Sequence, residues 1–207
     1  MTARDEILQK VRQGLGNVKP SRPIPPPPPV RLVVPDQSRA DRILSFQTRV
    51  EALNGRVHLV ASCAEARIIL AKLLNSRSFV ASHEPFLEEC GIARPLARPT
   101  KAECATAEVG ISSAAYGLAE TGTLVVLSNE QEQRLISLLP PAHIAVIPAS
   151  RMLVNLDEFF TLSPKPADLT SALIFITGPS RTGDIEQILI RGVHGPGEID
   201  IVIVLDH

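Results

Sequence analysis

From Ser38 onward the chain alternates two hydrophobic patterns. Short β-branched runs, which suit strands buried on both faces, are separated by segments whose apolar residues fall three and four apart, the spacing of an amphipathic helix. Ile43, Phe46, Val50 and Leu53 make one helical stripe, opened by Ser38-x-x-Asp41 and closed at Asn54-Gly55, and Val57 to Val60 follows as a strand. Ser62-x-x-Glu65 opens the next stripe, Ala66, Ile69, Leu70 and Leu73, before a brief strand at Ser78 to Ala81 and a short helix from Glu84 to Cys90. Residues 92 to 108 carry no readable period. Beyond them, strands are predicted at Gly110 to Ala115, Thr123 to Leu127, Ile144 to Ile147, Ala172 to Thr177 and Ile199 to Leu205. Helices are predicted at Gln131 to Leu139 after Ser128-x-x-Gln131, at Ser150 to Phe160, and at Thr182 to Leu189. The alternation predicts an α/β fold in which right-handed crossovers stack the units into a three-layer sandwich, with ligands at the carboxyl ends of the strands.

The first 35 residues read differently. Thr2-x-x-Asp5 is a helix start signal, and Ile7, Leu8, Val11 and Leu15 share one face of the helix it opens. Pro25 to Pro29 then removes five amide donors in a row and fixes an extended polyproline conformation. The organisation predicted is an amphipathic helix over residues 1–18, a proline-rich linker over 19–35 and an α/β domain over 36–207.

Composition adds boundaries. With 44% hydrophobic residues in 207, the chain has enough apolar surface for a full core. No apolar run approaches the roughly 18 to 20 residues of a membrane-spanning helix, and the first residues lack the apolar core of a signal peptide, so a cytoplasmic location is expected. A formal net charge of -1 argues against nucleic acid as a partner. The charge is uneven: residues 1–50 hold nine Lys and Arg against four Asp and Glu, a net of +5, which leaves -6 for the rest. Cys63, Cys90 and Cys104 include no C-x-x-C pair, and no His/Asp/Glu spacing resembles a metal site, so neither metal nor cofactor is expected.

Candidate chemistry gathers in the last third. Thr177-Gly178-Pro179-Ser180-Arg181-Thr182-Gly183 lies between a predicted strand and a predicted helix, where backbone amides and the positive helix end hold anions; Gly178, Ser180, Arg181 and Thr182 are its candidate ligand-binding residues. Asp184 and Glu186 would offset that helix dipole, and a capped turn without a ligand is the competing reading. His194, in Gly192-Val193-His194-Gly195-Pro196-Gly197, titrates near neutrality and is a candidate acid or base, or else a structural hydrogen-bonding residue. Glu120, with Thr121 and Gly122, stands on a glycine-containing loop before an apolar strand, a place for a nucleophile or base and equally for a solvated acid.

Four motifs in order resemble the LUD domain, the LutC/YkgG family of lactate utilisation proteins: Ala119-Glu120-Thr121-Gly122-Thr123-Leu124-Val125-Val126, Leu138-Leu139-Pro140-Pro141-Ala142-His143, Gly178 to Glu186, and Gly192-Val193-His194-Gly195-Pro196. The dense match covers residues 110 to 205. The resemblance implies a Rossmann-like sandwich of the NagB/RpiA/CoA-transferase-like type. It also implies a cluster-free accessory or ligand-binding component working beside two partner subunits, one carrying iron-sulfur clusters, in the oxidation of L-lactate to pyruvate. The competing reading, by analogy with the CoA-transferase-like fold, is a stand-alone enzyme using Glu120 as nucleophile or base and the loop of Ser180, Arg181 and Thr182 to hold a phosphate-bearing or carboxylate substrate, a small-molecule anion, with Asp184 and His194 as further candidate ligand-binding residues.

Overall fold

The computed structural model describes residues 3–16, 35–168, 170–183, 189–192 and 194–207. The proline run and Asp184 lie outside the described residues. The chain divides into two compact units, Met1–Arg31 and Leu32–His207. The first contains helix α1 (Ala3–Leu15), with Asp5 and Glu6 in its first turn, where acids favour the positive helix end. Ile7, Leu8, Val11 and Leu15 are all exposed on it.

In the second unit, α2 (Arg39–Ala52) starts where the Ser38 hydroxyl accepts a hydrogen bond from the Asp41 amide at 3.2 Å. Then come β1 (Arg56–Val60), α3 (Cys63–Leu74, capped by Ser62), β2 (Phe79–Ala81) and α4 (Pro85–Glu89). The stretch without a sequence period contains α5 (Lys101–Thr106), opened by a reciprocal capping box between Thr100 and Glu103. It precedes β3 (Val109–Ser113), β4 (Tyr116–Leu118), β5 (Thr123–Ser128), α6 (Arg134–Leu138) and β6 (Ala142–Pro148). After these lie β7 (Met152–Leu153), α7 (Leu156–Leu162), β8 (Ala172–Ile176), β9 (Arg181–Gly183), β10 (Leu189–Arg191) and β11 (Glu198–Val204).

Five strands form one parallel sheet in the order β1-β11-β6-β3-β2, the expected Rossmann-like α/β sandwich. Alternation along each strand divides the core between its two faces. Val202, Val204, Ile144, Val146, Val109 and Ile111 pack with Ala66 and Leu70 of α3 and with Phe86 and Leu87 of α4. Their neighbours Ile199, Ile201, Ile203, Ala145 and Ile147 pack on the opposite face with Ile43, Phe46 and Val50 of α2. Phe46 is fully buried there, worth roughly 2 kcal/mol relative to exposure.

A second sheet, β7-β4-β5-β8, is a departure from the simple alternation predicted from the sequence. β5 pairs antiparallel with β4 and β8. The hairpin closes because Gly122, at φ 66°, supplies the left-handed conformation, and a Cβ there would lie 2.9 Å from the Val50 amide of α2. Leu124 faces the α2 core, whereas Val125 joins Leu118, Leu153 and Phe159 beneath α7.

Three helix predictions are corrected. The ends of the helix predicted at Thr182 to Leu189 are strand: Thr182 and Gly183 lie in β9 and Leu189 in β10, which pair antiparallel with Thr182 opposite Ile190, while residues 184–188 lie outside the described residues. Gly183 is a poor helix residue, and Leu189-Ile190 suits extended backbone. The α7 helix begins not at Ser150 but after Asn155, whose side chain accepts from the Glu158 amide at 3.0 Å. The α6 helix begins later than Gln131, because the Asn129 side chain turns the preceding chain by accepting from the amides of Gln131 and Glu132.

Candidate functional site

Apart from Asp184, which lies outside the described residues, the sequence-predicted residues are distributed at the amino-terminal end of the parallel sheet, opposite the end where ligands were expected. Glu120 is exposed in the β4–β5 turn, and its amide donates to the Val154 carbonyl at 2.9 Å. Thr121, Thr123 and Thr177 form a hydroxyl chain with spacings of 2.7 and 2.8 Å. Gly122 and Gly178 both pack against the carboxyl-terminal part of α2, at Arg49, Val50 and Leu53. Arg181 donates to the Leu53 carbonyl, satisfying an acceptor at the negative end of that helix.

Ser180 is tied to the following loop instead: its amide donates to Pro196 O at 2.8 Å, and its carbonyl accepts from the Gly192 amide at 3.0 Å. The Gly197 amide closes this loop onto Pro141 at 2.9 Å. His194 is exposed on the loop. Thr182 contributes backbone to β9, so Gly178 to Thr182 lead into a strand instead of directly into the predicted helix. Among the described residues, no hydrogen bond or ion pair joins Glu120, Arg181 and His194. What the Gly122, Gly178 and Arg181 segments share is contact with the carboxyl-terminal end of α2.

The carboxyl ends of β2, β3 and β6 carry a different constellation. A cleft of about 290 Å³ opens there between the two sheets, lined by Glu84, Ser113, Ala115, Tyr116, Leu127, Asn129, Glu132 and Arg151. Each strand ends in a side chain that serves it. β3 delivers Ser113, the chain leaving β2 carries Ser82 and Glu84, and the turn after β6 carries Arg151. Glu132 is placed by the Asn129 turn and is only 2% exposed. Its Oε2 accepts from the Ser113 amide at 3.0 Å.

Among the described residues, three buried polar atoms there lack a partner in full hydrogen-bond geometry: Glu132 Oε1, Ser82 Oγ and Ser113 Oγ. Burial pushes the Glu132 carboxyl up to about 8; the nearby Ser82 hydroxyl and the Ser113 amide oppose the rise, and Glu84 adds to it. The acid is therefore largely neutral at pH 7. A second cleft of about 510 Å³ shares Glu84 and Arg151 and runs on to Glu89, Ser150 and His207. Among the described residues Arg151 forms no ion pair, and its guanidinium reaches only the Ala114 carbonyl at 3.5 Å.

A larger cleft, about 600 Å³, lies elsewhere, beside the edge strand β2, and is lined by Pro95, Leu96, Ala97 and Pro99. Its polar residues are already engaged, Thr100 with Glu103 and Ser78 with Glu108. It offers no converging unpartnered groups. At the far end of the carboxyl-end groove, single donor atoms of Cys63, Glu89 and His207 lie within 4.8 Å of one another. The Cys63 and Cys90 sulfurs are 3.0 Å apart, and burial raises the Cys90 thiol well above its ordinary range.

Sequence reading missed Glu132, Ser113 and Arg151. The usable signal was position, since Ser113 and Arg151 lie at or shortly after the carboxyl ends of the apolar runs of β3 and β6, at the end of the sheet where parallel folds bind ligands. Glu132 was hidden because the preceding Ser128-x-x-Gln131 pattern suggested an ordinary helix start.

Comparisons with known proteins agree with the fold. The model of the family described as the LUD domain matches residues 43–204. The uncharacterized protein YkgG of Escherichia coli strain K12 is 31% identical, with all of both chains covered. Lactate utilization protein C of Shouchella clausii is 27% identical over 98% of each chain. Its namesake from Halalkalibacterium halodurans is 40% identical over 48% of this chain and 45% of its own. Among solved structures, a DUF162 family protein from Deinococcus radiodurans superposes with a TM-score of 0.62 at 20% identity, covering 82% of this chain and 99% of its own.

Proposed function

The chain belongs to the LUD domain family, and from that premise we propose that it is a ligand-binding accessory subunit of a system oxidising L-lactate to pyruvate. Relatives named lactate utilization protein C support the system. The observation that supports a ligand-binding role is the cleft at the carboxyl ends of the strands, where the buried, largely neutral Glu132 lies with Ser113 and the Arg151 cation. Such a set recognises a small polar molecule.

In this reading partner subunits, one of them carrying iron-sulfur clusters, perform the electron transfer. The three cysteines here include no C-x-x-C pair of the kind that holds clusters. The exposed stripe of Ile7, Leu8, Val11 and Leu15 on a basic arm is the docking element for such a partner. The amino-end segments around Gly122, Gly178 and Arg181 hold α2 against the second sheet and the β9–β10 hairpin.

Deleting the gene and growing the strain on L-lactate tests the assignment. Loss of growth, restored by the full chain, and co-purification of the tagged chain with iron-sulfur partner subunits are expected. Normal growth of the deletion strain on L-lactate would overturn it.

A further inference from the structure

We propose that the cleft bounded by Ser113, Asn129, Glu132 and Arg151 binds a short monocarboxylate bearing a hydroxyl or oxo oxygen on the adjacent carbon, with Arg151 taking the carboxylate and the Glu132 carboxyl donating a hydrogen bond to the neighbouring oxygen. This rests on the ligand-binding role proposed above and names its chemistry.

The geometry decides which oxygen of Glu132 is the donor. Oε2 already accepts from the Ser113 amide at 3.0 Å, so a proton on the group resides on Oε1, which has no partner in full hydrogen-bond geometry although the Ser82 hydroxyl lies close to the carboxyl. A buried O–H without a well-aligned acceptor is costly, and a ligand oxygen at this wall supplies one. Burial keeps that proton in place at neutral pH. A ligand with only a carboxylate would leave the Glu132 donor unused, and sites built to hydrogen-bond an oxygen reject analogues lacking it.

Charge limits the ligand further. Arg151 is half-buried and half-buried Glu84 faces the same space, so with Glu132 neutral the lining sums to zero. One carboxylate directed at Arg151 and away from Glu84 is accommodated, whereas a phosphate or a second carboxylate would approach Glu84 uncompensated. Tyr116 on β4 also lines the cleft, and the ring of His83, beside Glu84 in sequence, is turned to the Ala97 carbonyl at 3.3 Å. At about 290 Å³ the space suits a small ligand.

Calorimetric titration of the full chain with L-lactate, pyruvate, propanoate and inorganic phosphate tests the proposal, with folding of every variant checked by thermal unfolding. At pH 7, L-lactate or pyruvate is expected to bind at least about tenfold more tightly than propanoate or phosphate, and Arg151→Gln to weaken that binding about tenfold or more. Because the ligand selects the protonated acid, affinity should fall about tenfold per pH unit above about 8. Glu132→Gln, which keeps a donor but cannot ionise, should bind and lose that pH dependence. Equal affinity for propanoate, indifference to Arg151→Gln, or an unchanged pH profile in Glu132→Gln would overturn the assignment. If neither acid binds while the deletion strain still fails on lactate, the cleft assignment falls and membership of the lactate system stands.

Discussion

Ser112 Oγ and His143 Nε2 lie 2.7 Å apart in the interior of the parallel sheet, and both side chains are completely buried. Burial lowers the His143 imidazole from 6.5 to about 4, so folding favours its neutral form. The unfolded chain then binds more protons between those values. This contribution is full above about 6.5 and is lost as pH falls towards 4, on the order of 3 kcal/mol in all.

Glu132 acts with the opposite sign. Its folded value of about 8 lies above the unfolded 4.5, so the native state binds the extra proton and stability declines as pH rises between them. The two slopes offset each other between about 4.5 and 6.5, and only the Glu132 decline remains from 6.5 to 8. Urea unfolding should therefore show a loss of about 2 kcal/mol from pH 6.5 to 8 in the parent chain, and none of it in Glu132→Gln. A parent profile flat to pH 8 would contradict the buried, neutral acid.

Arg56 and Asp200 pair across adjacent parallel strands, with Arg56 Nη2 at 2.6 Å and Nε at 2.7 Å from the carboxylate, and His58 Nε2 at 2.9 Å. Burial by itself would raise the Asp200 carboxyl; its contacts with Arg56 and His58 outweigh burial and hold it below its ordinary value. Arg56→Gln would leave a carboxylate only 1% exposed with one neighbour fewer. Because Arg56 itself is half exposed, the expected cost is about 2 kcal/mol rather than the larger cost of breaking a fully buried pair. The loss should shrink at low pH as Asp200 protonates, which unfolding at pH 7 and pH 3 would measure.

Cys63 is partly exposed at the start of α3, while Cys90 is buried against it with its thiol pushed upward. Iodoacetamide followed by peptide mass spectrometry should label Cys63 first, with Cys90 and the buried Cys104 slower by about tenfold or more under native conditions. Comparable labelling of Cys90 would mean that the α3–α4 face of the core opens readily.

The basic arm supplies a fourth expectation. Removing residues 1–35 should leave the thermal midpoint of the α/β unit within about 2 °C, since α1 contributes no buried residue. It should also reduce co-purification of partner subunits. Retained co-purification would assign docking to the α/β unit.

Much of the architecture was legible because local signals agreed with the fold. The Ser38 and Ser62 caps, the apolar stripe of α2 and the β-branched runs of β6 and β11 all point to the elements they form. The second sheet was not legible: β4 has three residues, and its pairing with β7 joins Gly117 to Met152 across more than thirty positions. Helical spacing at Met152 and Leu153 concealed a strand for the same reason. The family motifs were readable as sequence, yet Gly122 and Gly178 prove to be places where backbone approaches α2 closely. Glu132 was not readable, since its burial depends on strands that meet only in the folded chain.

The central claim, that the ligand site lies at the carboxyl ends of the strands, is tested most directly by complementing the deletion strain on L-lactate with single variants. Arg151→Gln is predicted to fail and Arg181→Gln to restore growth, both folding and accumulating like the parent chain. Full growth with Arg151→Gln, together with failure of Arg181→Gln, would place the function at the opposite end of the sheet and contradict the account.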